Sequence, residues 1–368
     1  MIPGNTNETG GGRPIDLLFA GLVSFDKDGK AQNEVAESIT ANDDATQYDI
    51  KLKDGWKFTD GTDVTAESFT KAWSYVANAK NGMVGSSFFS TIKGYDALQD
   101  TDNLKGDEQL EGLKIVNDHE FTVDLSQPDS AFATKLGYSG FYPMPESFYK
   151  DPKAFGESPV SDGPYKFGSW DHDKEIKLVK NPDYKGNRKV NNDGVTFKIY
   201  TDADAAYADV QAGSLDVMES VPASATKTFE TDETVQAYNK AGSVIQTSPF
   251  RVTGRKMTGA FRTGWQPDYP SPENYLYQLY SSDAADGNGS NDGDYKNSEF
   301  DDLCSKAAAA QTTDEANKLY QQAQEILLND LPAIPLYYSN ANGVAASGVK
   351  NFVMNWQNVP VYNEISKS

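Results

Sequence analysis

Cysteine and histidine are scarce in this sequence of 368 residues, which contains one cysteine and two histidines. The single cysteine, Cys304, allows no intramolecular disulfide, and its place in a helical stretch predicts a buried structural thiol. Nucleophilic catalysis needs an imidazole beside the nucleophile, but His119 and His172 are each flanked by polar residues in turn-like contexts. Because no pair of histidines has helical spacing, a structural zinc site is not expected either.

Basic residues and long apolar runs are also few. The chain has 33 Lys and Arg against 54 Asp and Glu, which gives a net charge of −21 at pH 7. Such a field repels phosphate backbones and anionic lipid headgroups, so nucleic acid is not expected as a partner. No run approaches the roughly 18 apolar residues of a membrane-spanning helix. The sequence from Met1 also lacks the basic and apolar regions of a signal peptide, so we expect any export signal to have been removed or never to have existed.

Strand-like and helix-like patterns are interleaved along the chain, whose length predicts two or three domains. Apolar residues recur at every second position, as in strands with one polar face, in four stretches: 48–52, 120–125, 175–179 and 196–200. A helix is predicted from Thr312, whose hydroxyl caps it while Glu315 completes a capping box. Further helices are predicted near Thr65 and over 205–212. Because strands and helices do not alternate regularly, the predicted fold class is α/β (mixed α+β) in several lobes.

A polar loop after residue 281 partly matches a calcium-binding loop. Five of its residues fall at positions 1, 3, 5, 6 and 12 of the EF-hand pattern: Asn288, Ser290, Asp292, Gly293 and Glu299. Position 1 is Asn instead of Asp, and Lys296 occupies position 9, where an oxygen ligand or a water belongs. The favoured interpretation is a solvent-exposed loop that leads into a helix capped near Ser298, and calcium binding stays open.

Carboxylates are so numerous that a hydrolase is an open alternative. The 54 acidic residues offer many pairs whose spatial separation the sequence does not reveal. A secreted carboxylate-dependent glycoside hydrolase therefore stays a candidate. Tryptophans often line sugar subsites, but Trp56 and Trp73 lie in strand-like and helix-like contexts that predict packing in the core.

The most informative polar cluster spans residues 261–269. It places the guanidinium of Arg262, the indole of Trp265 and the carboxylate of Asp268 within seven residues of a chain predicted to be extended. Without further context, this pattern is typical of an edge strand and a loop with ordinary charges.

Five short motifs occur in order along the chain. They are LKDGWKFTDGTDVTAE at 52–67, SDGPYKF at 161–167, KNPDY at 180–184, GSLDV at 213–217 and DLPAIPL at 330–336. The first is the most specific, because it combines a strand, a turn bounded by Asp-Gly pairs and a capped helix. Together these motifs resemble the family-5 extracellular solute-binding proteins, which are the peptide- and dipeptide-binding components of ABC importers.

The resemblance implies a bilobal periplasmic-binding-protein-like fold whose lobes close over a ligand, with an extra inserted domain. The expected division is a main lobe from 1–35, 159–247 and 336–368, an inserted domain over 36–158 and a second lobe over 248–335. The chain begins where family members already have a first strand. It also runs directly from Phe250 into Arg251, where relatives carry a long stretch of the second lobe. The second lobe is therefore expected to be incomplete, whether the missing part is trimmed, omitted from this sequence or lost.

The resemblance also implies a function without catalysis and without a cofactor. A protein of this kind captures peptides outside the cytoplasm, in the periplasm or as a lipoprotein on the outer face of the cell membrane, and delivers them to ABC transporter permease subunits. The expected state is a monomer, attached to the membrane only through a lipid anchor. The same receptor fold with another solute, such as nickel, a sugar or an opine, stays an alternative, because fold does not dictate ligand.

Two charged residues match ligand-binding positions of the family. In peptide-binding relatives an aspartate after a Gly-Trp pair binds the α-ammonium group of the ligand, and the matching residue here is Asp268. A carboxylate in a closed cleft of low dielectric pairs strongly with an ammonium group that it can hydrogen-bond. Arg262 matches an arginine that meets the carboxylate of a short peptide in some relatives.

Neutral residues beside Asp268 are expected to border the ligand. The resemblance places Gly264, Trp265 and Gln266 alongside it, where their backbone groups pair with a peptide as in β-strand addition and Trp265 forms a pocket wall. A front segment resembles the part of the main lobe that faces the ligand from the other side, and its candidate residues are Asn7, Glu8 and Thr9.

Overall fold

The computed structural model describes residues 1–249, 260–287 and 289–367, and its mixture of helices and sheets confirms the predicted fold class. The α-helices are α1 (Thr9–Leu18), α2 (Ala66–Ala77), α3 (Phe132–Lys135), α4 (Glu146–Lys150), α5 (Pro152–Glu157), α6 (Ala203–Gln211), α7 (Pro272–Tyr280), α8 (Ser298–Ala308) and α9 (Thr313–Asp330). The strands of the first half are β1 (Val23–Phe25), β2 (Ala31–Asn33), β3 (Ala36–Ala41), β4 (Gln47–Leu52), β5 (Leu113–Asn117), β6 (Glu120–Asp124), β7 (Tyr165–Asp171) and β8 (Glu175–Lys180). The later strands are β9 (Gly194–Lys198), β10 (Val217–Met218), β11 (Val235–Lys240), β12 (Ile245–Pro249), β13 (Thr263–Trp265), β14 (Ala333–Tyr338), β15 (Ala341–Ala346), β16 (Val349–Lys350) and β17 (Ser366–Lys367).

The described strands pair in six antiparallel sheets. Their strand orders are β1-β2, β3-β4-β6-β5, β7-β8-β9, β10-β15-β11, β13-β12-β14 and β16-β17. The four alternating stretches of the sequence overlap β4, β6, β8 and β9. In β4 the alternation is complete, because Tyr48, Ile50 and Leu52 are buried and the residues between them are exposed. Among the described residues, no helix is both long enough and apolar enough to cross a bilayer.

The sheet β3-β4-β6-β5 and helix α2 share an aromatic core. Helix α2 begins after Thr65, which forms a capping box with Ser68. It carries Trp73, which is fully buried and donates its indole N–H to the carbonyl of Phe141 at 2.9 Å. The Trp73 ring packs against the rings of Phe69, Phe89, Phe121, Phe132 and Phe141. Packing in the core, as predicted for Trp73, is confirmed.

Two of the recognised motifs meet in the main core. Trp56 of the first motif donates its indole N–H to the Asp162 carboxyl of the second at 3.1 Å. Asp162 also accepts the backbone N–H of Ala20 at 2.9 Å, and burial raises its pKa to about 8. Both Trp56 and Asp162 are buried, and buried polar groups require hydrogen-bond partners. The Trp56 indole N–H and the Asp162 carboxyl satisfy each other.

Helices α7, α8 and α9 pack together around a separate small core. It contains Leu276, Phe300, Cys304, Ala307, Tyr320 and Ala323. Burial of Cys304 confirms the predicted structural thiol, and it raises the pKa of that thiol to about 12. At the start of α9, the Thr312 hydroxyl accepts the backbone N–H of Glu315 at 3.2 Å, which confirms Thr312 as the cap.

The backbone crosses between the sheets β10-β15-β11 and β13-β12-β14 at two points. Residues 241–244 connect β11 to β12, and residues 339–340 connect β14 to β15. These two short connections join the sheet β10-β15-β11 to the sheet β13-β12-β14. The predicted junction between Phe250 and Arg251 lies outside the described residues, and the domain boundaries stay a prediction.

Replacing Trp73 with alanine is expected to lower the free energy of unfolding by about 3–5 kcal/mol, because a large buried aromatic is lost from a core that relaxes only partly. Denaturant unfolding followed by circular dichroism measures this loss. Trp170→Ala is the matched control, since Trp170 is partly exposed and stacks on His172. Equal losses for the two variants would contradict a central role for Trp73.

Candidate ligand-binding cleft

A large cleft of about 1840 Å³ is lined by segments from distant parts of the chain. Its walls come from α1 and the loop after β1, from residues 79–99 and 137–142, and from 264–268 together with the region around 282–290. Residues 355–364 complete the lining. The volume exceeds the roughly 300–1,000 Å³ of ordinary small-molecule pockets, so the cleft has space for an extended ligand.

Asp268 lines the cleft and is held by one neighbouring side chain, that of Asn274. Asn274, which is fully buried in the first turn of α7, accepts the backbone N–H of Asp268 at 2.9 Å and donates to the Asp268 carboxylate at 3.0 Å. The same amide accepts the indole N–H of Trp265 at 3.0 Å. Helix α7 starts here because Ser271 accepts the backbone N–H of Glu273 and Pro272 occupies the first helical position.

The surroundings of Asp268 favour its neutral form. Burial, with smaller contributions from the negative charges of Glu273 and Asp16, raises its pKa to about 7, although the hydrogen bond from Asn274 acts in the opposite direction. An uncompensated carboxylate is costly in such a place, so a cation that reaches Asp268 gains a strong partner.

Asp16 is a second carboxylate of the cleft, and the sequence analysis missed it. It lies on α1, and burial raises its pKa to about 6 in spite of the opposing effects of Arg188 and of a hydrogen bond from Tyr142. Tyr138 is near enough to both acids to be affected by their charges. Burial and the negative charges of Asp268 and Asp16 raise the pKa of Tyr138 well above its usual value. The only sequence signal was the short run before Asp16, which resembles no known site.

The neutral candidate residues lie on an exposed sheet edge. Strand β13 pairs with β12 on one side, and within the described residues no strand pairs with its other side. Gly264, Trp265 and Gln266 all line the cleft there, and Gln266 is fixed by donating to the carbonyl of Gln357 at 2.8 Å. A free strand edge offers N–H and C=O groups to an extended chain.

The structure brings seven of the eight candidate residues to this cleft. Besides Asp268 and the three residues of the β13 edge, these are Asn7, Glu8 and Thr9, which border it at the start of α1. Arg262 is not among the residues that line the cleft. Its exposed guanidinium donates to the side chain of Gln246 instead.

Negative charge dominates the cleft. Its described lining includes four cations, three of which are already in ion pairs: Arg13 with Glu219, Lys27 with Asp28 and Arg188 with Glu34. The acidic lining residues are Glu8, Asp16, Asp26, Asp28, Glu34, Asp96, Asp268, Asp283 and Glu364. The arrangement therefore suits a ligand that brings positive charge.

The described residues contain no group of three or more His, Cys, Asp and Glu side chains that could hold a metal ion. The first residue of the calcium-like pattern, Asn288, lies outside the described part. Helix α8 is capped by Asn297, whose side chain accepts the backbone N–H groups of Glu299 and Phe300. This cap lies one residue before the predicted Ser298.

Comparison with known proteins gives close matches in sequence and fold. The model of the bacterial extracellular solute-binding proteins, family 5 (middle part), matches residues 30–258. The oligopeptide-binding protein OppA of Bacillus subtilis is 28% identical over 220 residues, which are 59% of this chain and 40% of that protein. The dipeptide-binding protein DppE of the same organism is 28% identical over 233 residues, which are 62% of this chain and 42% of that protein. The chain thus spans about two fifths of the length of these curated relatives.

The fold is shared with solved periplasmic binding proteins. The murein tripeptide binding protein MppA of Escherichia coli superposes with a TM-score of 0.84 at 17% identity, and the match covers 99% of this chain and 95% of that one. This likeness confirms the predicted periplasmic-binding-protein-like fold. Because the family model matches more than half of its residues, the chain belongs to the family-5 bacterial extracellular solute-binding proteins.

Proposed function

We propose that this protein captures peptides outside the cytoplasm and delivers them to an ABC importer. The observation that carries the proposal is a poorly solvated carboxylate, Asp268, in a cleft of about 1840 Å³ and beside a strand edge that no other described strand covers. The sequence relatives with printed peptide-binding names support the same function. The chain itself needs no catalytic step and no cofactor for this role.

Asp268 is the proposed partner of the ligand's amino terminus. Its charge is poorly solvated in the cleft, and a free α-ammonium group both neutralises it and donates hydrogen bonds to it. Asp16 lies near enough to add to the negative field around Asp268. An uncharged, acylated amino end offers neither benefit, so the contact selects peptides with a free amino terminus.

The free edge of β13 is the proposed partner of the peptide backbone. Gly264 has no side chain to obstruct an approaching strand, and Trp265 is held in place by Asn274. Backbone pairing disregards side-chain identity, so it permits ligands of varied sequence. The excess of carboxylates in the cleft then disfavours strongly acidic peptides.

Capture requires a difference between an open and a closed arrangement. The ligand stabilises the closed arrangement only by the contacts that it makes there and not in the open one. Asp268 and the β13 edge belong to the second lobe, whereas Asn7, Glu8 and Thr9 belong to the main lobe. A peptide that touches both walls therefore favours closure.

The proposed setting is extracytoplasmic, with a monomeric receptor that is attached to the membrane by a lipid anchor and docks on permease subunits. The proposed division into lobes moves the predicted boundaries at 247/248 and 335/336 to the crossings at 241–244 and 339–340, so that β12 and β14 stay whole. An incomplete second lobe is supported by β14, where Leu336, Tyr337 and Tyr338 are 47%, 55% and 74% exposed. Such side chains are usually covered in a sheet of this kind.

Replacing Asp268 with asparagine is expected to lower the affinity for peptides with a free amino terminus by at least about 30-fold, because truncating a buried charge pair costs about 2–5 kcal/mol. Acetylated forms of the same peptides should change little. Titration calorimetry with both forms of a tripeptide measures the difference. Asp96→Asn is the matched control, since Asp96 also lines the cleft but is exposed. An equal loss for both peptide forms would remove Asp268 from this role, and hydrolysis of the peptide would favour an enzyme.

Peptide affinity is expected to be highest between about pH 7 and pH 8. Below this range the ligand-free protein holds a proton on Asp268, whose pKa is about 7, so binding must release that proton and affinity falls toward tenfold per pH unit. Above it the α-amino group of the ligand, with a pKa of about 7.7–8.0, loses its charge. Calorimetry across this pH range tests the profile. Affinity that does not change with pH on the acidic side would contradict the assignment.

A further inference from the structure

The geometry points to Asn274 as a positioning residue that holds Asp268 and Trp265 in the arrangement that receives a ligand's ammonium group. This inference rests on the proposed function of the cleft. The Asn274 side chain is fully buried and joins two cleft residues that are three positions apart. It does not line the cleft itself, so it acts on the ligand only through Asp268 and Trp265.

The side-chain amide of Asn274 satisfies all the groups that meet at this point. The Asn274 oxygen accepts two N–H groups, from the Trp265 indole and the Asp268 backbone, and its nitrogen donates to the Asp268 carboxylate. A carboxylate at position 274 has no donor for Asp268, and an alkyl side chain has neither donor nor acceptor. Either replacement leaves polar groups near the cleft without partners.

The position of Asn274 is itself fixed by its neighbour in the helix. Glu273 accepts a hydrogen bond from Tyr269 and forms a buried ion pair with Lys135 of α3 at 3.3 Å. Lys135 is also paired with Asp129 at 2.8 Å. The first turn of α7 is therefore anchored to the inserted domain on one side through Glu273, and it presents Asn274 to Asp268 on the other.

The hydrogen bond that Asn274 donates to Asp268 opposes the effect of the surrounding charges on the pKa of Asp268. The titratable groups that face Asp268 are Glu273 and Tyr275 on α7, Asp16 on α1, and Tyr138 of the inserted domain. Burial, Glu273 and Asp16 raise the pKa of Asp268, whereas the hydrogen bond from Asn274 lowers it. Loss of that donor therefore moves the pKa of Asp268 upward, and the ionised form becomes rarer at neutral pH.

The test compares Asn274→Asp with the wild-type protein, using trialanine with a free amino terminus and acetylated trialanine as probes. In Asn274→Asp the donor is lost and a negative charge is added beside Asp268. The affinity for free trialanine at pH 7 is expected to fall at least about tenfold, and the acidic limb of its pH profile is expected to move upward by about one pH unit or more. The affinity for acetylated trialanine should change much less.

Asn291→Asp is the matched control. Asn291 is also a buried amide of the second lobe with three hydrogen bonds, to the carbonyls of Ser281 and Tyr295 and from the backbone N–H of Tyr295, and it does not line the cleft. This variant should lose stability without moving the pH profile. If Asn274→Asp does not fold, Asn274→Ser retains a small donor and acceptor, and it should give a smaller loss with the same direction of pH shift.

The outcomes separate this inference from the proposed function. Wild-type protein that binds both forms of trialanine equally, or neither, would overturn the proposed function and the positioning role together. The wild-type protein could instead select the free amino terminus while an Asn274→Asp or Asn274→Ser variant keeps the same selectivity and pH profile. That result would overturn only the role of Asn274.

Discussion

A carboxylate that is poorly solvated carries a free-energy cost that a bound proton or a counter-charge removes, and Asp268 is in this situation. The cleft around it contains further acids, among them Asp16, and three of its four described cations are already paired. In the proposed function the ligand supplies the missing positive charge. The buried amide of Asn274 holds this carboxylate at the cleft.

The scaffold keeps the walls of the cleft in place through buried polar contacts between distant parts of the chain. Trp56 and Asp162 join two motifs that are more than 100 residues apart. Arg188 pairs with Glu34 at 2.8 Å and also donates to the carbonyl of Phe19 at 2.7 Å. Each of these groups would be costly to bury alone, so the pairs stabilise the contacts between these distant segments.

The parts of the fold that depend on neighbouring residues could be predicted from the sequence. Alternation of apolar residues locates β4 and β6, and the hydroxyls of Thr65 and Thr312 locate the starts of α2 and α9. These features arise within a few residues and leave a local pattern. Family likeness, in turn, singles out Asp268, because its Gly-Trp neighbours stand beside it in the sequence.

The remaining parts of the site depend on contacts between distant segments. Asp16 gains its properties from burial and from the distant residues Arg188 and Tyr142, and nothing next to it in the sequence indicates this. Asn274 looks like an ordinary polar residue in the first turn of a helix until its contacts with Trp265 and Asp268 are seen. Arg262 has a matching position in the family, but its guanidinium donates to the side chain of Gln246 and it does not line the cleft.

The central claim is that the positive end of a ligand neutralises Asp268 inside the cleft. A crystal structure of the protein with a bound tripeptide is the most direct test of this claim. The account predicts the amino nitrogen of the peptide within about 3 Å of an Asp268 carboxylate oxygen, with the peptide backbone along β13. A peptide whose amino terminus lies elsewhere, with the Asp268 side chain facing bulk solvent, would contradict it.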